Sequence, residues 1–149
     1  MIIPKKIRND IYEYVNKYSP NETKGALFAE KLDDETYKVE AVYFEKKVGT
    51  FAFVTLFNNE RYKKFCANYF NKYKNQYEIH NYIGDWHSHP SFSCVPSSYD
   101  KNEVIKDLKN SNANFLIQLI VKIEKNYLVG NAFLYNNQVT ALKIKLIIE

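Results

Sequence analysis

The sequence predicts an α+β fold, a three-layer-like sandwich in which a central mixed β-sheet is flanked by helices. Three features of the 149 residues point there. Segments with a 3.6-residue apolar period are interspersed with short runs of strand length. One such run, Phe115 to Val121, is apolar almost throughout and so expects cover on both faces. The last third is a series of apolar runs and turns. A chain of this length buries roughly 68–70% of the surface its unfolded form exposes. No repeat, linker or composition shift divides it, and a single domain spanning 1–149 is expected.

Ile7, Ile11, Tyr14, Val15 and Tyr18 recur at helical spacing between Pro4 and Ser19-Pro20, so the first element is a helix over about 4–18. Ala26-Leu27-Phe28-Ala29 and Tyr37 to Phe44 read as two strands, with Asp33-Asp34-Glu35 as the hairpin turn. Phe51 to Leu56 reads as a third strand. Tyr62, Phe65, Cys66, Tyr69, Phe70 and Tyr73 then share one face of an amphipathic helix, which makes Cys66 a core residue. Asn81 to His89 reads as a strand entering the loop from Pro90 to Pro96. A short helix follows, with Val104, Ile105 and Leu108 inward. Phe115 to Val121 and Tyr127 to Tyr135 are strands. An Asn136-Asn137 turn leads into Val139 to Ile148, expected as one further strand.

Aromatic residues make up 16% of the chain and charged residues 26%, the composition of a folded globule and not of a disordered one. The net charge of +4 comes from 21 basic and 17 acidic residues spread along the chain, without the basic block of a nucleic-acid binder. The first ten residues turn charged after Ile3, unlike a secretory leader, and no run reaches about 18 apolar residues, so no membrane partner is expected. Cys66 and Cys94 need not pair in a chain of this size, and a reduced, cytoplasmic protein is expected.

The chemistry is concentrated between His87 and Asp100. Residues two apart on a strand face one side, so His87 and His89 can present two imidazoles to one metal ion. The proline-bounded loop can fold back and start a helix at Ser97 or Ser98, which places Asp100 in the first turn as a third ligand. Two His and one carboxylate, with the fourth position open, is the catalytic form of a zinc site. Glu22, at the start of the first strand, is the candidate base for the attacking water. Each part has a plainer explanation: His-x-His also occurs on surface strands, Ser97-x-x-Asp100 is a capping-box pattern, and Glu22 alone is a loop carboxylate. Their conjunction, using two of three histidines within fourteen residues, favours the metal.

These residues resemble the JAMM, or MPN-plus, zinc metalloproteases. The signature is an upstream Glu, then His-x-His-Pro, six residues, Ser, two residues and Asp. His87, His89, Pro90, Ser97 and Asp100 match each fixed position. Gly84-Asp85-Trp86 is similar to the Gly-x-aromatic lead, Cys94 falls where many members carry Cys, and Glu22-Thr23-Lys24-Gly25-Ala26-Leu27 is similar to the Glu-x-x-Gly-x-Leu opening. The resemblance covers most of the chain. It implies the MPN/JAB fold, a sandwich related to that of cytidine deaminases. It also implies one zinc ion held by His87, His89 and Asp100, with Glu22 as the base that serves the attacking water and Glu30 as its fallback. Ser97 is implied as donor to the oxyanion of the tetrahedral intermediate, and Trp86 is read as packing on the opposite side of the strand.

The resemblance further implies a compact prokaryotic JAB-like deconjugase, because residues 45–50 and 101–113 leave little room for the inserts of eukaryotic deubiquitinases. The expected substrate is a ubiquitin-like protein or its conjugate, cut at the ubiquitin-like C-terminus by deconjugation or by tail processing. Compact bacterial members include some encoded beside E1-like and E2-like enzymes, among them antiphage operons in which the conjugate is a nucleotide cyclase. Residues 45–56, with a bend at Gly49, are the expected edge for a tail bound as an added strand. The alternatives are a non-catalytic MPN-type scaffold, which would call for a missing ligand, and a zinc deaminase, whose Cys-x-x-Cys pair is absent here.

Overall fold

The computed structural model describes residues 1–46 and 60–149. The strand expected at 51–56, Gly49 and all but two residues of the expected 45–56 edge lie outside the described residues. In chain order the elements are β1 (Ile2–Ile3), α1 (Lys5–Tyr18), β2 (Lys24–Lys31), β3 (Tyr37–Phe44), α2 (Glu60–Lys72) and β4 (His80–Ser88). They continue with α3 (Ser98–Asn110), β5 (Phe115–Glu124), β6 (Tyr127–Asn136), β7 (Leu142–Ile144) and β8 (Ile147–Ile148). The α+β sandwich with a mixed sheet is the architecture found.

The eight strands lie in the order β7-β6-β5-β4-β2-β3-β1-β8. β2 pairs antiparallel with both β3 and β4, β4 pairs parallel with β5 across the α3 crossover, and β5 pairs antiparallel with β6. β5 is central and buried on both faces, in keeping with its apolar sequence.

The single strand expected over 139–148 is instead two. β7 pairs with β6 at one end of the strand order, and β8 pairs parallel with β1 at the other. Only Lys145 and Leu146 separate them, so the sheet must curl until its two ends meet. The Met1 ammonium donates to the Lys145 carbonyl at 2.8 Å, and the Ile147 and Glu149 amides donate to Met1 and Ile3 carbonyls, closing the seam. Alternating apolar residues report a half-buried strand but not which neighbour it pairs with.

Inside the curl lies α1. Its Ile7, Ile11 and Val15 are buried with Leu27, Val39, Trp86, Ile117, Leu119 and Ala132 from across the sheet. The other face carries α2 and α3. Phe28, Tyr43, Tyr62 and Tyr69 form one core beneath α2, with Phe65, Cys66, Phe70 and Tyr73 packed against it. Cys94, Val104, Leu116, Ile120, Phe133 and Tyr135 form a second beneath α3. The third helix is longer than its sequence suggested, with 13 residues.

A bulge in β4 sets which residues face each layer. Leu27 pairs with Gly84 but Phe28 pairs with Tyr82, which leaves Ile83 as the extra residue. Gly84 has φ +141°, and a Cβ there would lie 1.9 Å from the Ile117 carbonyl oxygen. Downstream of the bulge, Trp86 and Ser88 are fully buried, Trp86 within the α1-side core. His87 is therefore turned toward the α2 and α3 face.

Candidate metal centre

His87 is the penultimate residue of β4, and His89 follows immediately after the strand ends. The chain is held at this exit: the His89 amide donates to the Val121 carbonyl at 2.9 Å and the Ser88 amide to the Thr23 carbonyl at 2.8 Å. Beyond Pro90 the loop folds on itself. The Val95 amide donates to the Ser93 carbonyl at 2.8 Å, and Asn131 Nδ2 donates to the Cys94 carbonyl at 2.9 Å, tying the loop to β6. Cys94 is buried beneath it, and burial raises its thiol pKa.

Ser97 caps α3. Its hydroxyl accepts from the Asp100 amide at 3.1 Å, and the Asp100 carboxylate accepts from both the Ser97 amide and hydroxyl at 2.7 Å. The capping box anticipated as the plain explanation thus exists, and the same cap aims a carboxylate at the histidines. Gln118 adds a tether: its Nε2 donates to the Asp100 carbonyl at 3.4 Å while its Oε1 accepts from Tyr135 Oη at 2.8 Å.

Three ligand atoms converge. His87 Nε2 and His89 Nε2 are 3.0 Å apart; His87 Nε2 lies 3.6 Å from Asp100 Oδ1 and His89 Nε2 lies 3.6 Å from Asp100 Oδ2, and one donor atom from each of the three residues lies within 4.8 Å of the others. Tetrahedral zinc with bonds near 2.0–2.1 Å would place neighbouring donor atoms about 3.3 Å apart, a spacing that the 3.0 Å and 3.6 Å contacts bracket pair by pair. His89 Nδ1 faces the Ser93 carbonyl at 2.8 Å, which fixes Nδ1 as the donor and leaves the Nε2 lone pair free. Two imidazole nitrogens meeting at 3.0 Å need a proton or a cation between them. The residues fit a divalent metal of the zinc type.

Electrostatics suit the same role. Burial lowers His87 to about 4, against the opposing pull of Asp100, so its imidazole is neutral near pH 7. Asp100 raises the pKa of His89 against burial, with smaller help from the Ser93 carbonyl and Glu22. Burial also acts to raise Asp100, but its contacts with His89, His87 and Ser97 outweigh this and hold the carboxyl well below the usual range. The carboxylate is charged at any working pH.

Glu22 precedes Thr23, whose amide donates to Ser88 Oγ at 2.8 Å. This stitch sets Glu22 beside the Ser88–His89 step, and its field reaches His89. Its carboxylate is not one of the three converging groups. Glu30, the fallback, pairs with His80 at the opposite end of β2, about 20 Å from Lys24 at roughly 3.3 Å per residue, and has no part in this site.

A model of the prokaryotic homologs of the JAB domain matches residues 4–132. The chain belongs to this family. The fold agrees: a solution structure of a Desulfitobacterium hafniense protein superposes with TM-score 0.67 at 22% identity, covering all of this chain and 93% of that one. A crystal structure of a JAB1/MPN-domain protein from Archaeoglobus fulgidus gives TM-score 0.54 at 19% identity, covering 99% and 98%. A Salinibacter ruber protein gives 0.57 at 17%, covering 100% and 92%. No curated protein matches the sequence closely enough to count as a relative. In this JAB domain, no helix among the described residues is long and apolar enough to cross a membrane.

Three supports of the site were missed from sequence. The Ser93 carbonyl and Asn131 act through folding that no local pattern announces. Gln118 did carry a signal, as the lone polar residue in the apolar run from Leu116 to Val121.

Proposed function

We propose that this JAB domain is a zinc-dependent isopeptidase or peptidase that hydrolyses the bond following the C-terminus of a ubiquitin-like protein. The observation that carries this is the convergence of His87 Nε2, His89 Nε2 and the Asp100 carboxylate, three ligands with no fourth among the described residues. An open position distinguishes a catalytic site from a closed structural one.

His87, His89 and Asp100 would hold one zinc ion. Zinc bound there supplies Lewis acidity, polarising the scissile carbonyl and easing deprotonation of water. Glu22 takes the proton from the attacking water and returns it to the leaving amine nitrogen, a transfer contributing about 10²–10⁴-fold. The Ser97 hydroxyl turns from Asp100 to donate to the developing oxyanion, where one positioned donor contributes of the order of 3 kcal/mol. Asp100 keeps its bond from the Ser97 amide during that rotation.

The substrate is proposed as a ubiquitin-like conjugate or tail, within a cytoplasmic system that pairs this enzyme with E1-like and E2-like partners. An antiphage system with a conjugated nucleotide cyclase is the specific setting proposed, and the family likeness is its support. The deciding experiment measures zinc per chain in the native protein and in Asp100→Ala, then turnover of ubiquitin-like conjugates by native and Glu22→Gln protein. One zinc in the native chain, little in Asp100→Ala and no turnover by zinc-loaded Glu22→Gln is the expected result. Well-folded native protein that takes up no zinc would leave a scaffold role instead.

A further inference from the structure

Lys24 opens β2, and its Cα is the register partner of His87. Directly opposed residues of an antiparallel pair project to the same face, so Lys24 lies on the metal side of the sheet. The flanking positions do not compete for that face: Thr23 is buried against Ser88, and Gly25 has no side chain. Lys24 is partly buried, and its ammonium makes no hydrogen bond or ion pair within 4.0 Å among the described residues. Asp85 and Asp107 feel its charge from farther away, and the Asp85 carboxylate already accepts from Tyr82 Oη at 2.9 Å.

A zinc ion held there would face the Asp100 and Glu22 carboxylates, with Lys24 as a further cation on the same face of the sheet. An ammonium with no contact partner among the described residues is open to a charge-assisted hydrogen bond with an incoming anion. The exposed wall of the site is of opposite character: Phe92, edge-on to His89 at 6.3 Å, is 66% exposed, and Val95 and Tyr99 are exposed nearby.

We propose that Lys24 is a specificity-determining residue that binds a carboxylate of the substrate beside the scissile bond. The carboxylate is either the free C-terminus of a short leaving segment or an acidic side chain next to the cut. The assignment rests on the peptidase function above and deepens it: a Lys24 that captures a terminal carboxylate makes this enzyme a trimmer of ubiquitin-like tails.

The test is calorimetric binding of three peptides: acetyl-Gly-Gly-Ala as the free acid, the same peptide as its amide, and acetyl-Gly-Gly-Glu amide. Each is titrated into native protein, Lys24→Met and Lys24→Arg, zinc-loaded and in chelator, because a carboxylate also coordinates zinc directly. Native protein should bind the free acid about tenfold more tightly than the amide in both states, as for a charge-assisted hydrogen bond. The acid-to-amide ratio should fall to about one in Lys24→Met and persist in Lys24→Arg. Tight binding of the Glu peptide instead assigns the carboxylate to a side chain. Equal native affinity for all three peptides overturns the proposal, as does a Lys24→Met variant that weakens all three alike or melts well below the native protein. A preference that survives in a protein unable to cleave any conjugate would sink the peptidase function and leave the carboxylate site standing.

Discussion

The Trp86 indole occupies the space that a side chain on Gly25 would fill. The two residues are register partners across β2 and β4, and Trp86 Nε1 donates to the Tyr43 carbonyl on β3 at 3.2 Å. A Cβ built on Gly25 would lie 1.7 Å from that carbonyl oxygen and 2.6 Å from Trp86 Nε1. The glycine and the tryptophan are one feature: Gly25 lets Trp86 cross three strands and lock the β2–β4 register, on which the proximity of Glu22 and Lys24 to the histidines depends.

Gly25→Ala should therefore destabilise the fold by about 3 kcal/mol, the upper range for overpacking, because the obstructing atom is backbone and cannot rotate away. Urea unfolding measures this directly. A loss below about 1 kcal/mol would show that the strands separate more easily than their packing implies.

Zinc should raise thermal stability near neutral pH, and chelator should remove the gain. A ligand bound only by the folded state stabilises by about 4 kcal/mol at a thousandfold excess over Kd. Melting curves with and without chelator, read beside metal content, check this. Coincident curves for protein shown to carry zinc would contradict a site that organises residues 87–100.

Asp100 has two duties that substitution can separate. Asp100→Asn keeps a side-chain oxygen for the cap but loses the charged ligand, so zinc affinity should fall at least tenfold, while metal-free stability drops by less than about 1 kcal/mol. Ser97→Ala should show the reverse: zinc retained, and about 1 kcal/mol of stability lost with the cap. Competition with a chromophoric chelator and chemical denaturation give the two readouts.

Glu40 makes folding sensitive to acid. Its carboxylate accepts from Tyr69 Oη at 2.9 Å and lies 2.8 Å from His80 Nδ1, with His80 stacked on Tyr73 at 3.9 Å. Burial acts to raise Glu40, but the bonds from His80, Tyr73 and Tyr69 overcome it and lower the pKa. A carboxylate with a depressed folded pKa contributes stability above its unfolded pKa, and that contribution is lost as pH falls through the folded value. Native protein should thus lose more stability than Glu40→Gln between pH 6 and pH 3. Parallel pH profiles for the two proteins would refute the assignment.

The sequence by itself determined the first helix and the grouping of His87, His89 and Asp100, because both are local. Ile7, Ile11 and Val15 repeat with the helical turn whatever they pack against, and His87, His89 and Asp100 lie on one strand exit, one loop and one helix start within fourteen residues. Tertiary structure decided what depends on pairing between distant segments. The stretch after Asn137 looked like one strand because alternation reports burial alone, yet β7 joins β6 and β8 joins β1, which begins at Ile2. The Gly84 bulge, the Gly25–Trp86 crossing and the Lys24–His87 register are likewise relations between strands. Side-chain periodicity marks which face of a strand is buried; strand register arises from the packing of whole sheets, and no single segment carries it.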